Sequence, residues 1–164
     1  MIIDTHTHTF PDRIAARALA GMEKSIVDKH DWNVKIKVAG TRDALSESTK
    51  KNGVDISVVV PVATKPEQSA SINEFAAQTN EKTKETGVFS LGAIHPDNED
   101  YKDILDDIKK KGLKGIKVHP DYQKVEFDDP RYLRIFKYAD ELGLVIVTHA
   151  GEDIGLPKKI HCTP

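Results

Sequence analysis

A single cysteine, Cys162, stands in the 164-residue chain, which excludes an internal disulfide and any multi-cysteine zinc site. Long apolar runs are missing: none approaches the roughly 20 residues that span a bilayer. The opening Met1-Ile2-Ile3-Asp4 has nothing of a secretory signal, so a cytoplasmic protein without membrane contact is expected. Charge of one sign is lacking as well. The 24 Lys and Arg against 26 Asp and Glu leave a net charge of -2, too little positive field to hold a phosphate backbone, so nucleic acid is not an expected partner. Neither a glycine-rich phosphate loop nor a Gly-x-Ser-x-Gly elbow occurs, which leaves no sign of a serine hydrolase. With 38% hydrophobic and 30% charged residues, the composition excludes a fibrous or disordered chain and predicts one globular domain over residues 1–164.

What is present is a rhythm. Gly53-Val54, Gly87-Val88, Gly112-Leu113 and Gly143-Leu144 each put a glycine, which accepts the left-handed conformation that closes a helix, before an apolar residue. Short runs rich in β-branched residues follow at 56–60, 88–93, 115–118 and 145–148, and Ile2-Ile3-Asp4 makes a further strand. Helical spacing fills the intervals. Ala18, Met22 and Ile26 share one side of a helix over residues 14 to about 29, and Ile72, Phe75, Ala76 and Thr79 follow a capping box at Ser71-Ile72-Asn73-Glu74. Tyr101, Ile104, Leu105 and Ile108 repeat the spacing, and Tyr132, Phe136 and Ala139 follow Asp129-Pro130, an N-cap residue and a first-turn proline. The apolar face of residues 41–52 is thin, and residues 31–40 carry no pattern. Strand and helix alternate about five times, the pattern of an α/β protein with a parallel sheet. Such a sheet is either open and doubly wound, or a partial (β/α)₈ TIM barrel of which this length supplies about five of the eight strand-helix units.

Histidines fall at the strand ends. His6 and His8 sit on one side of an extended segment after the first strand and can reach one ion, and Asp4 occupies the next alternate position below them. His119 ends Gly115-Ile116-Lys117-Val118-His119-Pro120, and His149 ends Val145-Ile146-Val147-Thr148-His149. In a parallel α/β architecture these ends share one face, where ligands bind. His119 is either a metal ligand or a substrate contact. Lys117 has the strand parity of His119 and can bind an anion or act as a base, unless it pairs with a buried acid. His95-Pro96 ends the third strand, so His95 is a candidate substrate contact or a loop cap. His30 and the pair His161 and Cys162 are read as structural, and Gly151-Glu152-Asp153 as a carboxylate source or a solvated turn.

Together, Ile2-Ile3-Asp4-Thr5-His6-Thr7-His8, Gly115-Ile116-Lys117-Val118-His119-Pro120 and Val147-Thr148-His149-Ala150-Gly151-Glu152 resemble the amidohydrolase superfamily. The branch it most resembles is the amidohydrolase-related one, which includes decarboxylases of the aminocarboxymuconate-semialdehyde type. Lys51-Asn52-Gly53-Val54-Asp55 and Asp128-Asp129-Pro130-Arg131 also fit. The resemblance implies a (β/α)₈ barrel with one or two divalent metals at the C-terminal mouth. It makes His6 and His8 the first-strand metal ligands and His149 the fifth-strand ligand. Related enzymes add a sixth-strand histidine and an eighth-strand aspartate, and neither has a counterpart here. Pro164 would open the helix after the fifth strand, so the chain is expected to be truncated.

The expected function is therefore that of a metal-dependent hydrolase in which a divalent ion, Zn²⁺ or alternatively Mn²⁺, activates water against a carbonyl-like small molecule. His119, Lys117 and His95 would contact substrate, with Lys117 a possible catalytic group. A decarboxylase of the same superfamily is the alternative. So is a noncatalytic metal-binding or subunit-interaction module, or a doubly wound domain whose histidines only hydrogen-bond locally. Unpaired strand edges in a five-unit barrel piece predict a homo-oligomer.

Overall fold

The computed structural model describes residues 1–156 and 160–163. The helix start expected at Pro164 lies outside the described residues. The strands are β1 (Ile3–Thr7), β2 (Ile56–Val59), β3 (Val88–Ser90), β4 (Gly92–Ala93), β5 (Gly115–Val118) and β6 (Val145–Thr148). The helices are α1 (Asp12–His30), α2 (Arg42–Lys51), α3 (Ser69–Glu81), α4 (Thr83–Thr86), α5 (Tyr101–Lys110), α6 (Pro120–Gln123) and α7 (Pro130–Glu141). A 3₁₀ turn at Pro66–Gln68 leads into α3. None of these helices is long and apolar enough to cross a membrane.

Every strand pairing is parallel: β1 with β2, β2 with β3, β4 with β5, and β5 with β6. The two ladders are joined covalently, because β3 and β4 are halves of the single apolar run 88–93, interrupted at Leu91. Leu91 still donates its N–H to the Val59 carbonyl at 3.0 Å. The strand path thus runs in chain order, as in the wall of a barrel, and β1 and β6 each pair on one side only, so no barrel closes among the described residues. This is the partial-barrel arrangement, not a doubly wound one. Ile3 on β1 is 48% exposed and Val145 on β6 is 59% exposed, which fits two uncovered edges.

Asparagines explain the interruption between β3 and β4. Asn80 on α3 accepts from the Ser90 N–H at 2.6 Å and donates to its carbonyl at 2.9 Å. Asn73, seven residues earlier on α3, does the same for Ala93 at 2.8 and 3.0 Å. Two side-chain amides thus replace a strand neighbour, and the buried backbone groups of the run stay satisfied. The helix begins earlier than the sequence predicts. Ser71 lies inside α3 and donates to the Gln68 carbonyl at 3.1 Å, while the Gln68 side chain accepts from the Thr64 and Lys65 N–H groups. The predicted capping box at Ser71 does not form: Gln68 is the N-cap residue of α3 without a side-chain cap bond, and its amide closes the preceding 3₁₀ turn.

The four helix-ending glycines at 53, 87, 112 and 143 take φ between 66° and 74°, as the Gly-apolar pairs predict. Asp129 caps α7 by accepting from Arg131 N–H at 2.8 Å, with Pro130 in the first turn. The core lies on the helical side of the sheet: Ile116 and Val118 of β5 pack with Leu105 and Ile108 of α5 and Tyr132, Ile135 and Ala139 of α7. Alternation then turns Lys117 and His119 to the opposite face. Gly115 is required by close approach, since a Cβ there would lie 2.3 Å from the Val145 carbonyl oxygen. This contact sets β5 against β6 and with them the two strand ends that carry His119 and His149.

Candidate metal centre

Because all strands run the same way, their C-terminal ends share one side of the sheet. His6 lies near the end of β1, His8 just beyond it, and His119 and His149 directly follow β5 and β6. The β1 segment is not simply extended. Ile3 and Asp4 pair with Ile56 and Ser57, but the next partner of Val59 is Thr7, so one extra residue bulges out beside the histidines. Strict alternation does not hold there, yet the His6 and His8 rings stay together, centroids 5.1 Å apart at 65°. Asp4 accepts the His6 N–H at 3.2 Å and so braces the bulge.

Lys117 is fully buried, and its Nζ has no hydrogen-bond partner among the described residues. Burial pushes its pKa down. Its charge reaches His6, His8 and His119, and that of His149 reaches His6 and His119. Each of these three imidazoles is held below its ordinary value. For His6, burial acts first, then Lys117 and His149, with Asp4 opposing. For His8, burial, His6 and Lys117 bring the value to about 4, against the Val60 backbone; its outer edge stays exposed, so that desolvation is partial. For His119, burial and then His149 bring it to about 4, with Asp153 opposing. Neutral imidazole is the form that binds metal.

A pH dependence follows with a definite sign. His8 and His119 remain neutral in the fold down to about 4, whereas unfolded histidines take a proton near pH 6.5. The metal-free chain is therefore expected to lose stability as pH falls from about 6.5 toward 4, where the unfolded state binds protons that the fold refuses. A lower urea midpoint at about pH 4.5 than at about pH 7 checks it.

His119 and His149 stack face to face, centroids 4.2 Å apart and planes 7° from parallel. The His119 ring is set by α6, whose N-cap it forms: Nδ1 accepts the Tyr122 N–H at 3.5 Å. Its Nε2 faces Asp153 Oδ2 at 3.5 Å. Nε2 of His149 is buried without a hydrogen-bond partner among the described residues. Buried polar atoms are ordinarily satisfied, so an orphaned imidazole nitrogen among neutral histidines fits a divalent cation. Among the described residues, His119, His149 and Asp153 form a group whose ligand atoms all lie within 4.8 Å of one another. His6 and His8 are not in that group, although His6 is close enough to feel the charge of His149.

Sequence reasoning missed Gln123. This buried amide donates to the Ala63 and Ile94 carbonyls at 2.8 Å each, accepts the His119 N–H at 2.9 Å, and accepts the Tyr132 hydroxyl. It ties the segments after β2 and β4 to the end of β5. Nothing in a lone glutamine after His119-Pro120 signals that role.

His95 stands apart from the cluster. Its Nδ1 accepts the Asp97 N–H at 3.2 Å, and the charges acting on it are those of Asp97, Arg131 and Glu67. The ring therefore caps the loop after β4. His30 stacks on Trp32, and its Nε2 meets the Ile154 carbonyl at 2.9 Å. His161 binds Asp121 at 2.7 Å through Nδ1, and Cys162 is buried.

A parallel β/α wall with histidines at its C-terminal rim defines the class: an α/β protein of the TIM-barrel kind. The chain belongs to the amidohydrolase family, whose sequence profile matches residues 3–162. No curated protein matches it significantly. Among solved structures it is similar to 5-carboxyvanillate decarboxylase from Sphingomonas paucimobilis, at 16% identity and a TM-score of 0.63 over 91% of this chain and 51% of that one. It is also similar to the Novosphingobium aromaticivorans 5-carboxyvanillate decarboxylase complexed with manganese and a nitrobenzoic acid, at 15% identity and a TM-score of 0.66 over 92% and 50%. A third is an Acinetobacter baumannii protein described as a "probable 2-pyrone-4,6-dicarboxylic acid hydrolase", with citric acid bound, at 14% identity and a TM-score of 0.54 over 91% and 49%. The chain spans about half the length of these structures.

Proposed function

We propose that the chain carries the metal-binding rim of a metal-dependent enzyme that acts on an anionic small molecule through a carbonyl-like or carboxylated centre. The observation that carries this reading is the clustering of histidine rings at one set of C-terminal strand ends, His6 with His8 at 5.1 Å and His119 with His149 at 4.2 Å, together with the buried Lys117 on β5. His6, His8 and His149 would hold the ion, Zn²⁺ or Mn²⁺. Three imidazoles leave an open position in a tetrahedral shell. When bound, such an ion polarises an oxygen of the substrate or lowers the pKa of water toward about 7.

The other residues have roles of their own. Lys117, buried and without a hydrogen-bond partner among the described residues, would pair as an ammonium with a substrate carboxylate in a region of low dielectric, where that attraction is strongest. His119, kept neutral and stacked on His149, would contact the substrate beside the ion. Hydrolysis is the first reading. Decarboxylation is the second, and the unpaired Lys117 favours it, because an ammonium group in that position can orient a carboxylate-bearing substrate. Uncovered β1 and β6 edges support self-association.

Changing His6 and His8 together to alanine tests the ligand assignment. Zinc affinity, read by competition with a chromophoric chelator, is expected to fall at least about tenfold, since even outer-shell substitutions cost 10–100-fold. Unchanged affinity overturns the assignment.

A further inference from the structure

The structure assigns a second chelating position for a divalent cation, formed by His119, His149 and Asp153 and overlapping the first through His149. It rests on the reading that His149 faces a metal, and adds two ligands that the rim of histidines at β1 does not include.

Three observations carry it. The first is distance. Metal-nitrogen and metal-oxygen bonds of about 2.0–2.2 Å in a tetrahedral shell put neighbouring donor atoms roughly 3.3–3.6 Å apart. His119 Nε2 and Asp153 Oδ2 already stand 3.5 Å apart, and all three donors lie within 4.8 Å. The His119 and His149 planes, 7° from parallel in this structure, must turn toward one another for both nitrogens to address one ion, and with His119 held by the Tyr122 N–H the ring that turns is His149.

The second is the preparation of each donor. His119 gives its Nδ1 to the Tyr122 N–H, so Nε2 is the nitrogen left to face the site. Nε2 of His149 is buried and without a hydrogen-bond partner among the described residues. The Asp153 carboxylate is divided: Oδ1 accepts the Gly155 N–H at 2.8 Å, which leaves Oδ2 turned to His119. A backbone bond that fixes one oxygen while the other points inward is the orientation that supporting hydrogen bonds give to metal-binding carboxylates.

The third is anchoring. The segment that carries Asp153 is tied to the end of α1 by Lys29, which donates to the Asp153 carbonyl at 2.8 Å, and by His30, which meets the Ile154 carbonyl at 2.9 Å. Lys29 also pairs with Glu152 at 3.4 Å. The carboxylate is thereby presented from a braced segment, not from a free turn. Two imidazoles and one carboxylate are a donor set that zinc accepts with its fourth position open.

Zinc alone is the probe, in the His6→Ala/His8→Ala chain, where the overlapping position is isolated. That chain is expected to bind one Zn²⁺, and adding Asp153→Asn to lower its affinity at least about tenfold. Asparagine keeps an oxygen for the Gly155 N–H while removing the charge, so the segment keeps its shape. Cobalt gives an independent reading: the visible absorption of Co²⁺ in the His6→Ala/His8→Ala chain should weaken with Asp153→Asn, and with His119→Ala, while the circular dichroism spectrum is unchanged. The proposal is overturned if the His6→Ala/His8→Ala chain binds no zinc, or if its zinc and cobalt binding are indifferent to Asp153→Asn. Either result leaves the assignment of His6 and His8 standing. Conversely, unchanged affinity on their replacement, with a full effect of Asp153→Asn, removes that assignment and keeps this one.

Discussion

His149→Ala is expected to abolish zinc uptake, a larger effect than any other single histidine substitution in the chain. His149 is the imidazole common to both donor sets: its charge reaches His6 on one side, and its ring stacks on His119 on the other. Its Nε2 is also buried without a hydrogen-bond partner among the described residues, so none of their hydrogen bonds must be broken to bind metal. Loss of zinc by unfolding is readily told apart. The substitution leaves the backbone N–H of residue 149, which donates to the Val118 carbonyl at 3.3 Å in this structure, chemically unchanged, and an unaltered circular dichroism spectrum separates ligand loss from unfolding. A second readout comes from proton nuclear magnetic resonance titration of the metal-free chain. Since the charge of His149 lowers the pKa of His6 and His119, its removal should move both upward. Stoichiometric zinc in the His149→Ala chain, measured by elemental analysis after dialysis, would refute both donor sets at once.

The sequence was most readable where one residue type has one physical use. Gly53, Gly87, Gly112 and Gly143 mark helix ends because a left-handed backbone excludes most other residues, and the four β-branched runs behind them became β2 to β6, the run 88–93 dividing in two. Asp129-Pro130 likewise begins α7. Histidines at strand ends were legible for the same reason, since parallel strands bring their C-termini together. What escaped was set by pairs distant in sequence. The division of 88–93 into β3 and β4 depends on Asn73 and Asn80, whose amides reach the strand only after α3 has docked. The bulge in β1 depends on its register against β2. Asp153 was open between a carboxylate source and a solvated turn because its partner His119 is in a different strand-helix unit, and His95 between a substrate contact and a loop cap, of which the Asp97 N–H bond favours the cap. Local rules thus delivered the elements, and long-range polar pairing decided the details of the rim.

Gln123 is where that pairing matters most for stability. Its side chain satisfies four buried groups: the carbonyls of Ala63 and Ile94, the N–H of His119 and the hydroxyl of Tyr132. Ala63, Ile94 and Tyr132 are 0% exposed, and His119 is 5% exposed, so water cannot replace the amide where it is. Gln123→Met keeps the length and apolar bulk of the side chain but strands all four partners. Each stranded buried group costs roughly 1–3 kcal/mol, and partial relaxation reduces the sum, so a loss of about 3–5 kcal/mol is expected. That is a large part of the 5–15 kcal/mol that ordinarily holds a domain together. The same change at exposed Gln78, which bonds only Glu74 on its own helix, should stay within about 0.5 kcal/mol. Urea denaturation of the two variants measures the difference. Because the stranded His119 N–H sits at the base of the rim, the Gln123→Met chain should also bind zinc more weakly under conditions where it remains folded. A stability equal to that of the Gln78 variant would mean that the strand ends are held by the sheet alone, without this amide.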